Sequence, residues 1–148
     1  MRVPGRYGFW CVAAMMAIGI SACNNDTDST FAPTIVTPPA KTETFTGTVP
    51  VKGSDSHPFT TSNYGAMSIT LTAAGPPDTI VMGVGIGAPA SVADPTCLVY
   101  QNAFQSTAAG ATPQLSGNIP AGSYCVSVFD VGNQTAAVNY SVTVIHPQ

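Results

Sequence analysis

The chain has 148 residues, of which only 7% are charged, and its four Lys and Arg residues face seven Asp and Glu residues. We expect no nucleic-acid partner, because binding to phosphates needs clustered basic side chains. From Phe45 onward the only charged residues are Lys52 and four aspartates, so the polar surface has to consist mainly of Thr, Ser, Asn and Gln. Such a surface steers charged ligands poorly.

The N-terminus has the pattern of an export signal. Two arginines precede an apolar run over residues 8–20, which is too short to cross about 30 Å of hydrocarbon as a helix but suits a signal peptide. The run ends in residues 20–23 (ISAC), which resemble the lipobox of bacterial lipoproteins. This resemblance implies that residues 1–22 are a lipoprotein signal peptide and that Cys23 is acylated. The alternative is an ordinary signal peptide, with Cys23 an incidental thiol.

Residues 23–44 are rich in Thr, Asp and Pro and show no sustained period, which predicts a flexible tether. The alternative for residues 34–36 (TIV) is a first edge strand. Asn24 stands where an aspartate would signal retention in the inner membrane of two-membrane bacteria. By that resemblance, the destination is the outer membrane.

Alternation of apolar and polar residues dominates the chain after the tether. Residues 67–72 (MSITLT) and 138–144 (VNYSVTV) alternate without a fault, which is typical of strands with one buried face. In residues 80–87 glycine recurs at every second position from Gly83, so one face is nearly bare and open to another backbone or a long side chain. Further candidate strands are residues 44–51, 57–61, 96–100 and 124–128.

Turn signals separate these runs, for example residues 74–78 (AGPPD), 120–122 (PAG) and 130–133 (DVGN). No segment after Cys23 has a helical period. We therefore predict that residues 45–148 form an all-β domain, an antiparallel β-sandwich of about seven or eight short strands. Each sheet would have one face toward the core and one toward water.

Two cysteines remain if Cys11 leaves with the signal peptide and Cys23 carries the lipid. Cys97 and Cys125 then allow one bridge, and such a pair outside the cytoplasm is usually oxidised. The alternative is a redox or metal pair, but the chain has no Cys-x-x-Cys spacing and no further ligand cluster to support it. We predict a disulfide between Cys97 and Cys125.

Four segments resemble the bacterial pre-peptidase C-terminal domain. They are FTGTV at residues 45–49, HPFT at 57–60, GAMSITL at 65–71 and IPAGSYCVSVFD at 119–130. The resemblance implies a jelly-roll-like β-sandwich, in which Ala121 and Gly122 make a turn and Tyr124 begins a core face. That family includes collagen-binding modules and is often appended to secreted peptidases, whereas no peptidase domain precedes the module in this sequence.

Chemically reactive residues are sparse. We expect His57 and His146 to be exposed residues at strand ends rather than bases, and no Gly-x-Ser-x-Gly motif occurs. Calcium has candidate oxygen ligands in four aspartates and one asparagine, but we expect each aspartate to cap its own turn instead. These five residues are Asp55, Asp78, Asp94, Asp130 and Asn133. We predict no catalytic residue, no metal site and no cofactor.

Sugar binding would require flat, exposed aromatic side chains, and the chain after Cys23 has no tryptophan. Tyr124 and Tyr140 lie on the apolar sides of their strands, so we assign them to the core. Tyr64, Tyr100 and Phe104 remain as candidate ligand-binding residues. Residues 101–114 form the longest irregular stretch after the tether, and long loops carry function more often than strands do.

These features predict a lipid-anchored protein of the bacterial cell envelope that is not an enzyme. Its β-sandwich would be a module for binding or structural attachment to protein or polymer. The expected partners are the membrane, through the lipid, and an envelope protein or polysaccharide. The alternative is a carbohydrate- or calcium-binding module of the cell surface.

Overall fold

The computed structural model describes residues 37–91 and 96–148. The predicted signal peptide, Cys23 and the tether as far as residue 36 lie outside these residues, as does Asp94. Within the two described ranges, no helix has the length and apolarity that crossing a membrane requires.

Eight strands form the structure. They are β1 (Ala40–Val49), β2 (Ser54–Thr61), β3 (Gly65–Gly75), β4 (Met82–Pro89), β5 (Cys97–Thr107), β6 (Leu115–Ile119), β7 (Gly122–Asp130) and β8 (Val138–Pro147).

The strands pair in two four-stranded antiparallel sheets. Sheet A has the order β1-β8-β3-β6, and sheet B has the order β2-β7-β4-β5. The first strand thus pairs with the last, the second with the seventh, the third with the sixth and the fourth with the fifth. This nesting is that of a jelly roll, the eight-stranded double sheet built of two Greek keys. The predicted all-β sandwich is confirmed.

The core lies between the two sheets and is built from the alternation seen in the sequence. Ile69 and Leu71 of β3 and Val142 and Val144 of β8 are fully buried on the inner face of sheet A. Val126 and its neighbours on β7 meet them from sheet B. Each such side chain contributes roughly 1.5 to 3 kcal/mol on burial. Tyr124 and Tyr140 are buried, as predicted.

Strand β1 begins earlier than the predicted domain boundary at residue 45. Ala40 already pairs with Pro147 of β8, and the backbone N–H of Gln148 donates to the carbonyl of Pro39 (2.8 Å). The side chains of residues 40–43 gave no strand signal because most of them are exposed. Their place in the sheet depends on backbone hydrogen bonds to β8, which are independent of side-chain pattern.

The prediction that residues 101–114 form a long irregular loop is wrong in part. Strand β5 continues through it to Thr107, and β6 follows at Leu115 without having been predicted. Both are edge strands, each paired on one side only. Edge strands bury few side chains, so their sequences need not alternate. Only residues 108–114 connect the two strands.

The bare face of β4 is covered, as its glycines predicted. A Cβ at Gly83 would collide with the ring of Phe129, and one at Gly85 would lie 2.7 Å from a methyl group of Val99. A Cβ at Gly87 would collide with the backbone carbonyl of Leu98. All three glycines are buried, so β4 is enclosed on both faces although it belongs to a two-layer fold.

A bulge interrupts the pairing of β5 with β4. Gly85 pairs with Phe104 and Gly87 pairs with Val99, so residues 100–103 stand opposite the single residue Ile86. Asn102 has φ of 63° within this bulge, a left-handed conformation that asparagine tolerates better than most residues. Bulges of this kind bend an edge strand and prevent it from pairing with another sheet.

Cys97 and Cys125 form the predicted disulfide. Their Cα atoms are 5.7 Å apart, and the bond joins residues separated by 28 positions. It ties the start of edge strand β5 to β7, with β4 between them. The bond therefore fastens the strand that carries the bulge.

Gly87→Ala should destabilise the fold, because the new methyl group meets backbone rather than a mobile side chain. We expect the free energy of unfolding to fall by about 1 to 3 kcal/mol, the usual cost of overpacking. Urea denaturation measures it. Gly117→Ala is the matched control, since a Cβ at Gly117 in β6 has nothing within 4 Å. Equal losses in the two variants would contradict the close packing at Gly87.

Replacing both Cys97 and Cys125 with Ala should lower the free energy of unfolding by about 3 to 4 kcal/mol, because the bridge constrains the unfolded chain. Urea denaturation of the oxidised parent and the double variant tests this. Thiol titration of the unfolded, unreduced parent should find neither of these two cysteines free. Two reactive thiols at these positions would show that the bond does not form.

Candidate functional site

An open groove on the outer face of sheet B is the candidate site, and we call it the aromatic groove. It encloses about 430 Å³, within the range typical of small-molecule sites. Strands β2, β5 and β7 supply its lining, which consists of Ser54, Cys97, Val99, Tyr100, Gln101, Phe104, Ser127 and Phe129.

Three aromatic residues line the groove, namely Tyr100, Phe104 and Phe129. Tyr100 is 44% exposed and Phe104 is 50% exposed, so both rings present a large apolar surface to solvent. Phe129 packs against Phe104 edge to face, with ring centroids 6.2 Å apart and planes at 63°, a favoured geometry for aromatic pairs. Phe104 is therefore oriented from below while much of its surface stays open to solvent.

Local structure explains how these rings come together. The bulge at residues 100–103 brings Tyr100 and Gln101 to a groove that also contains Ser54 and Ser127. The glycines of β4 allow Phe129 and Val99 to lie directly on the sheet. With side chains at those positions, the outer face would be filled and the groove would be shallower.

The polar groups of the groove are uncharged. The Ser127 hydroxyl accepts a hydrogen bond from the Ser56 hydroxyl (3.1 Å) and is buried. Within the described part of the chain, the side chains of Ser54 and Gln101 make no hydrogen bond. A hydroxyl and an amide, each able to donate and accept, therefore remain available at the edges of the groove.

The predicted ligand residues are divided by the structure. Tyr100 and Phe104 lie together in the aromatic groove, but Tyr64 lies between β2 and β3, is 65% exposed and does not line it. Phe129 was missed, although the bare face of β4 had predicted that some long side chain would approach. The sequence did not indicate which one.

The outer face of sheet A is a different kind of surface. It carries rows of hydroxyl side chains, and four of these, all threonines, are engaged in hydrogen bonds within the sheet. Thr44 and Thr143 share a hydrogen bond (3.2 Å), and Thr48 donates to Asn139 (2.7 Å). Thr72 donates to the Ser141 carbonyl (3.1 Å). This face has fewer uncommitted polar groups than its composition suggests.

His57 is not an exposed strand-end residue as predicted, but part of a half-buried polar cluster between the sheets. The Tyr140 hydroxyl donates to Oδ2 of Asp55 (2.9 Å) and lies 2.8 Å from Nε2 of His57. Because the hydroxyl proton points to the carboxylate, Nε2 is the donor to the hydroxyl oxygen. Burial, together with Asp55, raises the pKa of Tyr140 well above its usual range.

Neighbouring residues of β1 fit this cluster closely. Phe45 stacks on the His57 ring with centroids 4.8 Å apart, and a Cβ at Gly47 would collide with the Asp55 carboxylate. The cluster joins β2 of sheet B to β1 and β8 of sheet A. Nε2 of His57, the Tyr140 hydroxyl and Oδ2 of Asp55 bond in a chain that connects the two layers, and none of these residues lines the aromatic groove.

His146 is also placed differently from the prediction, because it is fully buried. Its Nδ1 donates to the Pro147 carbonyl (2.9 Å), and its Nε2 lies 3.0 Å from Oε1 of Glu43. Lys41 pairs with the same carboxylate oxygen (2.7 Å). The hydrogen bond from Lys41, with a smaller contribution from His146, holds the pKa of Glu43 below its usual range, although partial burial acts in the opposite direction. The His146 ring packs against the ring of Phe59 on β2, with centroids 5.1 Å apart.

Asp130 caps its turn, as predicted. Its Oδ2 accepts from the Lys52 backbone N–H (2.8 Å), and its Oδ1 accepts from the backbone N–H groups of Gly132, Asn133 and Gln134. Those bonds, Lys52 first, hold the pKa of Asp130 below its usual range. Among the described residues, no three His, Cys, Asp or Glu side chains are grouped to hold a metal ion.

Comparison with known proteins gives no further assignment: no protein-family model matches the chain, and no curated protein matches it. The resemblance to the pre-peptidase C-terminal domain therefore stays a prediction.

Asp130→Ala should lower the melting temperature at pH 6 and lose this effect in acid. The folded-state pKa lies below the unfolded one, so the stabilisation is complete above the unfolded value, about 3.9, and disappears as the pH falls through the folded value. Thermal melts of parent and variant from pH 7 to pH 2 measure the difference. Asn133→Ala, which keeps the carboxylate, should retain the parent's pH dependence. A gap between parent and Asp130→Ala that is constant over this range would contradict the capping role.

Proposed function

We propose that the protein is a lipid-anchored binding module of the bacterial cell envelope and that it contacts its partner through the aromatic groove. The observation that carries the binding function is the pair of half-exposed rings, Tyr100 and Phe104, set on a rigid sheet. Exposed aromatic side chains are typical of recognition surfaces.

The disulfide supports the proposal that the protein is exported from the cytoplasm. A bond between Cys97 and Cys125 persists in oxidising compartments and is rare in the cytosol. This agrees with the signal-like N-terminus and with the lipobox resemblance of residues 20–23. The asparagine at position 24 supports the outer membrane as the destination.

The arrangement of ionisable groups favours binding over catalysis. His57 is engaged by Tyr140, His146 is enclosed beside Glu43, and Asp130 holds a turn. Each of these groups has a structural role that a reaction would disturb. The calcium alternative is weakened in the same way, because the oxygens of Asp130 already accept backbone hydrogen bonds.

Cys23→Ser should release the protein from the membrane, because acyl chains supply about 0.8 kcal/mol per buried CH₂ and two or more of them hold a protein stably. Fractionation of cells and incorporation of labelled palmitate measure the anchor. Cys11→Ser is the matched control, since that residue lies within the predicted signal peptide, and it should stay membrane-bound. A Cys23→Ser protein that remains in the membrane, with no label in the parent, would refute lipidation.

A further inference from the structure

We propose that the aromatic groove binds a neutral carbohydrate chain. This inference rests on the proposed binding function and names the ligand class for that site. Three properties of the groove carry it, namely the absence of charge, the exposed rings and the uncommitted polar groups.

The surroundings of the groove favour a ligand without charge. From Thr96 to Phe129 the sequence has no Asp, Glu, Lys, Arg or His, and this stretch includes all of β5, β6 and most of β7. Only Ser54 of the lining comes from outside it. A charged ligand would lose hydration here and gain no opposite charge in return, whereas a neutral ligand loses much less.

The rings of Tyr100 and Phe104 can contact the apolar faces of a sugar. A pyranose presents C–H groups on its faces and hydroxyls around its rim, so it contacts apolar rings and hydrogen-bonding groups at once. Phe129 fixes the orientation of Phe104, and Tyr100 is carried by a bulge that the nearby disulfide secures to β7. A ring held in place before binding, as that of Phe104 is, loses little conformational entropy when a ligand arrives.

Polar groups at the groove edge match sugar hydroxyls. Ser54 and Gln101 have side chains without a hydrogen-bond partner in the described ranges, and both can donate and accept. A purely apolar ligand would leave these groups unused. The groove is open along the sheet face, so an extended chain can pass through it without an end having to enter.

Binding to glycans tests the inference with the full-length protein in detergent. The probes are neutral oligosaccharides of glucose, mannose, galactose, xylose and N-acetylglucosamine, together with uronic-acid and sulfated oligosaccharides. We expect at least one neutral probe to bind and the charged ones to bind at least tenfold more weakly. If no neutral probe binds, or if the charged probes bind better, the inference is overturned.

Variants locate the site. Tyr100→Ala and Phe104→Ala should each weaken binding of the neutral probe at least tenfold, and Tyr64→Ala, an exposed aromatic outside the groove, should leave it unchanged. Tyr100→Leu keeps apolar volume but removes the flat ring, so it should resemble Tyr100→Ala. Thermal melts confirm that the variants are folded. Binding that survives all groove substitutions, or that falls equally in Tyr64→Ala, would overturn the assignment.

Failure of the carbohydrate inference can be distinguished from failure of the proposed binding function. A groove that binds an apolar peptide in a Tyr100-dependent manner, but no neutral glycan, would overturn the carbohydrate ligand and leave the binding module in place. Loss of membrane attachment is measured separately through Cys23 and does not depend on the ligand.

Discussion

Close packing against the glycines of β4 is the constraint on which both the fold and the groove depend. Without side chains at Gly83 and Gly85, the ring of Phe129 and the side chain of Val99 lie directly on the outer face of sheet B. At Gly87 the backbone of β5 itself approaches. A strand that would otherwise expose half of its surface is buried on both faces, and the aromatic rings above it acquire a rigid base. The same glycines thus serve packing and shape the proposed binding groove.

Of the six Lys, Asp and Glu side chains in the described ranges, four are engaged in the protein's own structure. Asp55, His57 and Tyr140 join the two sheets, while Lys41, Glu43 and His146 fasten the first strand to the last. Buried polar groups are tolerated only when they are paired. With these ionisable groups engaged, the proposed recognition would depend on hydroxyls, amides and aromatic rings, which do not titrate in the neutral range.

Residues 67–72 and 138–144 were predictable as strands because burial of one face imposes a period of two on the sequence. Strand β6 was not predictable, because this edge strand is held in its sheet by backbone hydrogen bonds, which do not depend on the side-chain pattern. His146 was expected to be exposed because it lies near the chain end, but residues distant in sequence bury it, namely Glu43 of β1 and Phe59 of β2. Tyr64 and Tyr100 look alike in sequence, and only the arrangement of the strands shows that Tyr100 shares a groove with Phe104 whereas Tyr64 does not.

The nested pairing of strands has a consequence for how the chain would fold after the proposed export. Ala40 pairs with Pro147, so β1 has no neighbour in its sheet until β8 is present. A chain that leaves a translocation channel with its N-terminus first would carry an unpaired β1 until its last strand has followed. Pairings this distant in sequence also form slowly. Completion of the fold is therefore tied to release of the C-terminus, and an anchored N-terminus would confine that late step to the membrane surface.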